Sequence, residues 1–256
     1  MATISTGFIS DKINGILVNS SIRCHKVNYN NHASRKVEYI VMHYTGNSKD
    51  NAKNNCNYFA TGSRKSSAHF FVDDANIYQS VGLKDVAWHC GTSKTYYHKT
   101  CRNSNAFGIE MCTSGDYKVS QKTKENSAYL CARLCKMLGI TADEVDTYVV
   151  RHYDVTHKQC PAQMAGNSNK EWEAFKKDVK NILTTGAISK EVATATSFLV
   201  KITADVLNVR KGPSTNYDVV TTVKEGEVFT IVQELNGWGK LKSGAGWISL
   251  KYTTKI

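Results

Sequence analysis

A chain of 256 residues with 41% hydrophobic and 10% aromatic content is long enough for one core of ordinary size plus a smaller one, which points to two domains. No run approaches the roughly 20 apolar residues of a membrane span, and the opening MATISTGFISDKINGILVNS has neither a basic start nor a continuous apolar block, so neither a membrane protein nor an export signal is expected. The net charge of +11 is spread along the chain, with nine Lys/Arg against six Asp/Glu in 186–256 and 24 against 16 before it. That balance suits an anionic partner, but the positives form no runs and no zinc-finger or RNP-like motif is present, so an anionic polymer is favoured over nucleic acid.

Residues 1–36 match no pattern and read as an N-terminal extension, a strap across the first domain. From residue 37, VEYIVMHYT is a β-rich strand, and Ala52, Cys56 and Phe59 at helical spacing, stopped by Gly62, predict a helix. HFFVDD and NIYQSV form a predicted hairpin, and FGIEMC at 107–112 is a further strand. A helix over about 124–138 is predicted by the stripe Ala128, Cys131, Leu134, Cys135 and Leu138 with Gly139 as its end. TYVVRHYDV reads as a strand. SNKE at 168–171 reads as a capping box in which Ser168 and Glu171 open a helix with Trp172, Phe175, Val179 and Ile182 on its buried face. Strands interspersed with helices imply an α/β domain over 37–183, a mixed central β-sheet flanked by helices. After a small, polar linker at 184–197 the texture changes. Residues 198–256 alternate short β-branched runs with turns such as Gly212-Pro213 and Asn236-Gly237, the pattern of a small all-β barrel. The eight cysteines fall largely at core-like positions and read as reduced, small apolar residues, with a Cys90–Cys101 bridge left as the alternative.

The chemistry concentrates in RHYDVTHKQCPA, residues 151–162. A catalytic zinc site needs three protein ligands and an open fourth position, and imidazole nitrogen and thiolate suit it. His152 lies on the predicted strand, and Cys160 comes after a loop long enough to fold back, stiffened by Pro161. The third ligand has to come from elsewhere, and His43 is the best candidate because it ends the first strand, before the turn YTGN, where a sheet opens onto a crevice. His157 is the rival to Cys160. Taken singly, each reads more readily as a hydrogen-bonded core histidine or a buried thiol, and only their combination brings a metal centre level with that bland reading.

Five blocks in order, YIVMHYTG, SSAHFFVDDANIYQSV, AWHCG, FGIEMC and RHYDVTHKQCP, resemble the zinc-dependent N-acetylmuramoyl-L-alanine amidases, the type-2 family of phage endolysins, bacterial autolysins and peptidoglycan-recognition proteins. The resemblance covers residues 37–183. It implies Zn2+ on His43, His152 and Cys160 with water at the fourth position, and bacterial peptidoglycan as substrate, cut between N-acetylmuramic acid and the L-alanine of the stem peptide. It also implies Glu110 as general base and Lys158, two residues before Cys160, as the oxyanion's partner. Some phage members carry a tyrosine just before the histidine of the second block; here that residue is Ala68, which shifts the base onto Glu110. His69 and His89 fall in matching blocks and, with Trp88 and Tyr44, are expected to bind substrate, the alternatives being that the two histidines orient the ligands and that Trp88 and Tyr44 simply pack. His25, His32 and His98 are expected at the surface.

Residues 203–252 resemble a bacterial SH3 domain of the kind appended to cell-wall hydrolases. That likeness implies a wall-binding role, with Asn208, Arg210, Tyr217, Trp238 and Trp247 as groove residues, the two tryptophans being equally suited to core packing. The reading is thus a monomeric zinc hydrolase without nucleic-acid or membrane partners, made in the cytoplasm and acting on the cell wall after phage-type release or outside the cell. The alternative is a non-catalytic peptidoglycan-binding protein, a class that usually lacks the cysteine ligand found here at Cys160.

Overall fold

In the computed structural model, residues 7–31, 34–91, 95–187, 197–215, 217–235 and 237–256 are described; His32 and most of the expected linker lie outside them. The chain divides into two units, Met1–Ile188 and Ser189–Ile256. The first opens with β1 (Lys12–Ile13) and β2 (Ile16–Asn19), joined through Asn14 and Gly15, both at positive φ. Then come β3 (Tyr29–Asn30), β4 (Tyr39–Tyr44), α1 (Ala52–Ala60), β5 (Phe70–Val72), β6 (Ile77–Gln79), β7 (Val86–Ala87) and β8 (Ala106–Met111). The unit closes with α2 (Gln121–Leu138), α3 (Val145–Tyr148), β9 (Val149–Arg151), α4 (His152–Thr156) and α5 (Lys170–Thr185).

Seven of these strands form one mixed sheet in the order β1-β2-β6-β5-β8-β4-β9. β4 lies between β8 and β9 and is parallel to both, while β5 and β6 are the expected antiparallel hairpin. Period-two alternation sorts the side chains of the central strands. Ile40 and Met42 of β4 and Phe107, Ile109 and Met111 of β8 meet Leu134 of α2 and Trp172, Phe175 and Val179 of α5 in the main core. On the other face Val41 and Ala106 pack with Cys90, Cys101 and Val155, and Phe71 packs with Ala52 and Cys56 of α1. Helices and loops therefore cover the sheet on both sides, as its near-continuous apolar strands require.

Four sequence expectations change. Residues 12–19 join the sheet edge as β1 and β2, so this part of the N-terminal segment is a component of the sheet and not a strap. α2 begins earlier than expected, at Gln121, because Ser120 caps it by accepting from Thr123 N. The strand expected over 147–155 ends at Arg151, and His152 opens a short helix: the Asp154 carboxylate accepts from the backbone N of Arg151 and holds its guanidinium, which favours a turn at that point. α5 is capped by Asn169, whose side chain accepts from Trp172 N, and not by Ser168. All eight cysteines are buried and free, Cys90 and Cys101 included.

The second unit holds β10 (Phe198–Ile202), β11 (Val206–Arg210), β12 (Val219–Lys224), β13 (Val228–Leu235), β14 (Trp238–Leu241), β15 (Trp247–Ser249) and β16 (Thr253–Lys255). They form one sheet in the order β12-β11-β15-β14-β13-β10-β16 around Val200, Ile202, Leu207, Val209, Ile231, Leu241 and Ile248. Alternation turns Asn208, Arg210, Trp238 and Trp247 away from that core, with Arg210 opposite Trp247 across β11 and β15. Both tryptophans are partly exposed. Tyr217 is exposed, its ring laid on Gly212, where a Cβ would come within 2.7 Å of ring atoms. Among the described residues, no helix is long and apolar enough to cross a membrane.

The packing predicts that Leu134→Ala, which empties a fully buried position between α2 and the sheet, costs about 2–5 kcal/mol. Leu17→Ala, at a position 59% exposed, changes stability by less than about 0.5 kcal/mol. Denaturant midpoints of the first unit's transition, monitored by far-ultraviolet circular dichroism, measure both.

Candidate metal centre

His43 sits on the face of β4 opposite the helix-side core, one residue from the strand's end. The parallel register sets it beside Glu110 of β8, on the same face. β9 runs along the other side of β4 and delivers His152 as the first residue of α4. α4 ends at His157, whose left-handed backbone (φ 57°) turns the chain back. Tyr153 N then donates to Cys160 O at 2.9 Å, which brings the cysteine alongside the histidines. The Cys160–Pro161 peptide is cis.

The donor atoms of His43, His152 and Cys160 all lie within 4.8 Å of one another, and all three residues are buried. His43 Nδ1 is 3.1 Å from His152 Nδ1 and 3.7 Å from Cys160 Sγ. Tetrahedral zinc with bonds of about 2.0–2.1 Å to nitrogen and about 2.3 Å to sulfur puts its donors about 3.3–3.6 Å apart, so the two distances from His43 are close to what such an ion requires. The donor set, two imidazoles and one thiol, is also what a borderline-soft cation selects over calcium or magnesium.

The electrostatics fit as well. Burial holds the His43 imidazole well below its ordinary range, with further lowering from His152, His89 and Lys158. Burial and then Lys158 bring His152 down to about 3, so both rings are neutral near pH 7 and carry lone pairs. Cys160 is pushed up to about 12, by burial first and the Glu110 carboxylate second. Glu110 is itself raised to about 8 by burial, an effect that the Lys158 charge opposes. Its Oε2 is buried and has no hydrogen-bond partner among the described residues. Lys158 is exposed, yet its charge is felt at all four of these groups, which puts it at the rim of the site.

The other expected site residues divide. His69 is fully buried: its Nδ1 accepts from Gly108 N and its Nε2 lies 3.1 Å from Asp85 O, a closed arrangement that corrects the expectation of substrate contact. His89 is 8% exposed, its Nδ1 3.0 Å from His43 Nε2. Tyr44 is next to His43 on the strand, and its ring therefore goes to the opposite face, against the margin of the helix-side core. Trp88 stays half-buried beside His89. His157 stacks on Tyr97 at 3.5 Å between centroids, away from any ligand role. Sequence reasoning missed Asn103, whose Oδ1 accepts from the backbone N of both His89 and Cys90. It also missed Gly108, for which an isolated glycine within a strand was the available signal.

Comparison with known proteins agrees with this geometry. The family model described as N-acetylmuramoyl-L-alanine amidase matches residues 33–163, and that of the bacterial SH3 domain matches 205–254. The N-acetylmuramoyl-L-alanine amidase CwlL of Bacillus licheniformis is 34% identical over 186 residues, covering 70% of this chain and 49% of its own length. The N-acetylmuramoyl-L-alanine amidase BlyA of Bacillus subtilis is 32% identical over 234 residues, covering 82% and 61%. The chain thus spans less than two thirds of the length of either relative. Among solved structures, PlyL and the catalytic domain of XlyA each align with a TM-score of 0.53 at 25% identity, over 64% of this chain and 98% and 99% of theirs.

With Cys160 a thiol at neutral pH, cation binding has to displace its proton. Titration calorimetry of Zn2+ into the protein at pH 7, in two buffers of different ionisation enthalpy, is expected to show between about one and two protons released per ion, one from Cys160 and up to one from Glu110. Affinity rises with pH in step, and Cys160→Ser lowers the release by about one proton.

Proposed function

Because the chain belongs to the N-acetylmuramoyl-L-alanine amidase family, we propose that it hydrolyses the amide between the lactyl group of N-acetylmuramic acid and the L-alanine of the stem peptide in bacterial peptidoglycan. The observation that carries this reading is the convergence of His43, His152 and Cys160 next to a buried Glu110 oxygen that has no partner among the described residues. Zinc is the ion proposed for the three ligands. When bound, it supplies Lewis acidity that polarises the scissile carbonyl and makes water a better nucleophile near neutral pH.

The protein's own groups do the rest. Glu110 takes the proton of the attacking water at its free oxygen and passes it to the departing alanine nitrogen. Lys158, at the rim, supplies positive charge to the oxyanion that forms when the carbonyl carbon becomes tetrahedral. Burial around the ligands keeps bulk water from weakening these interactions. A carboxyl raised to about 8 in the metal-free site is a stronger base, once ionised, than an ordinary one, and the charge of a bound cation favours its ionisation.

The SH3 domain is proposed to hold the enzyme on the cell wall, where tethering raises the local concentration of substrate. The face bearing Asn208, Arg210, Trp238 and Trp247 supports this, since two partly exposed tryptophans sit there outside the core. Action on the wall is the corresponding site of function.

Mass spectrometry of digested cell wall is expected to reveal new free L-alanine amino termini, and a product set of cleaved glycans or internal stem-peptide bonds would contradict the amidase assignment. Excess chelator and Cys160→Ser each abolish the activity, while Glu110→Gln lowers turnover about 10²–10⁴-fold with zinc still bound. Trp247→Ala is expected to weaken sedimentation with purified walls and leave turnover of a soluble muramyl peptide within about twofold.

A further inference from the structure

His43 presents its two ring nitrogens to different neighbours. Nδ1 faces His152 and Cys160, and Nε2 points away from them, 3.0 Å from Nδ1 of His89. A neutral imidazole carries one proton, so a ring that offers Nδ1 to a cation must hold its proton on Nε2 and needs an acceptor there. Metal-bound histidines usually give that proton to a carboxylate, a backbone carbonyl or water. Here the atom in place is the Nδ1 of another histidine, set edge to face with His43 at 86° between ring planes and 5.1 Å between centroids. The proton of His89 then lies on its own Nε2, a buried atom with no partner among the described residues.

His89 is held there from both sides. Its backbone N, with that of Cys90, donates to the Asn103 side chain at 3.0 and 2.8 Å. Its ring lies on the backbone of Gly108 in β8: a Cβ at that glycine would be 2.6 Å from His89 Cγ and 2.8 Å from Nδ1. Gly108 has no positive φ to explain its identity, so the ring above it is the reason a larger residue does not fit.

We propose that His89 is the positioning residue of the metal centre, its Nδ1 accepting the Nε2 proton of His43 and thereby fixing the ring so that the Nδ1 lone pair faces the ion, and that Gly108 is the glycine this arrangement requires. The proposal rests on the zinc reading above and goes beyond it, because it concerns how the ligand set is preorganised and not which reaction the site performs.

The test is zinc affinity, measured on the full chain by competition with a chromophoric chelator, together with the visible absorption of the Co2+-loaded protein. His89→Leu removes the acceptor and is expected to weaken zinc binding about 10–100-fold. In His89→Asn, the amide oxygen occupies nearly the place of the imidazole Nδ1 and restores affinity to within about threefold of the parent, with the parent's cobalt spectrum. Gly108→Ala keeps every polar group but displaces the ring, and is expected to behave like His89→Leu. Affinity within twofold of the parent in a folded His89→Leu protein overturns the proposal, as does an asparagine variant as weak as the leucine one. If His89→Leu does not fold, Gly108→Ala decides, and parental affinity there overturns it. A parent that fails to bind zinc at all would instead refute the metal reading, so the two failures are distinguishable.

Discussion

The parallel pairing of β4 between β8 and β9 is the constraint on which the site depends. Register along β8 sets Glu110 beside His43, and register along β9 ends that strand where His152 begins a helix. Because side chains alternate, the same strands that send Ile40, Met42, Phe107 and Ile109 into the helix-packed core send His43 and Glu110 to the other face. A slip of one residue in β4 would bury Met42 in place of His43 at the site and expose the core's own residues. The stability of the large core therefore enforces the geometry of the small polar cluster.

That cluster is costly to bury as it stands. Two imidazoles, a thiol and a carboxyl lie together with few internal partners, and Glu110 Oε2 has none among the described residues. Burial keeps the imidazoles neutral and holds Cys160 and Glu110 in their protonated forms. A divalent cation reverses the balance: it takes the lone pairs, stabilises the thiolate and rewards ionisation of the carboxyl. The polar groups thus make physical sense as a set that a positive ion would complete.

Much of this was legible in the sequence, and for chemical reasons. Few side chains can bind zinc, so His43, His152 and Cys160 stood out by type and by their positions at strand ends and after a loop. The two units were visible because the texture changes from mixed helix and strand signals to short β-branched runs with turns. What could not be read depended on contacts across the fold. Asp154 converts an apparent strand into a helix through its bonds to Arg151, and nothing in the local pattern distinguishes that from continued extension. His69 and His89 look alike in sequence, yet one is closed off by Gly108 N and the Asp85 carbonyl while the other reaches His43. Tyr44 suits either substrate contact or packing by residue type, and only the strand's alternation, which sets it against the margin of the helix-side core, separates the two.

X-ray absorption at the zinc edge of the metal-loaded protein addresses the central claim most directly, because it reports which atoms hold the ion whatever the substrate. Two nitrogen scatterers at about 2.0–2.1 Å, one sulfur at about 2.3 Å and one further light atom are expected. A shell of oxygen and nitrogen without sulfur, or one unchanged in Cys160→Ser, would contradict it.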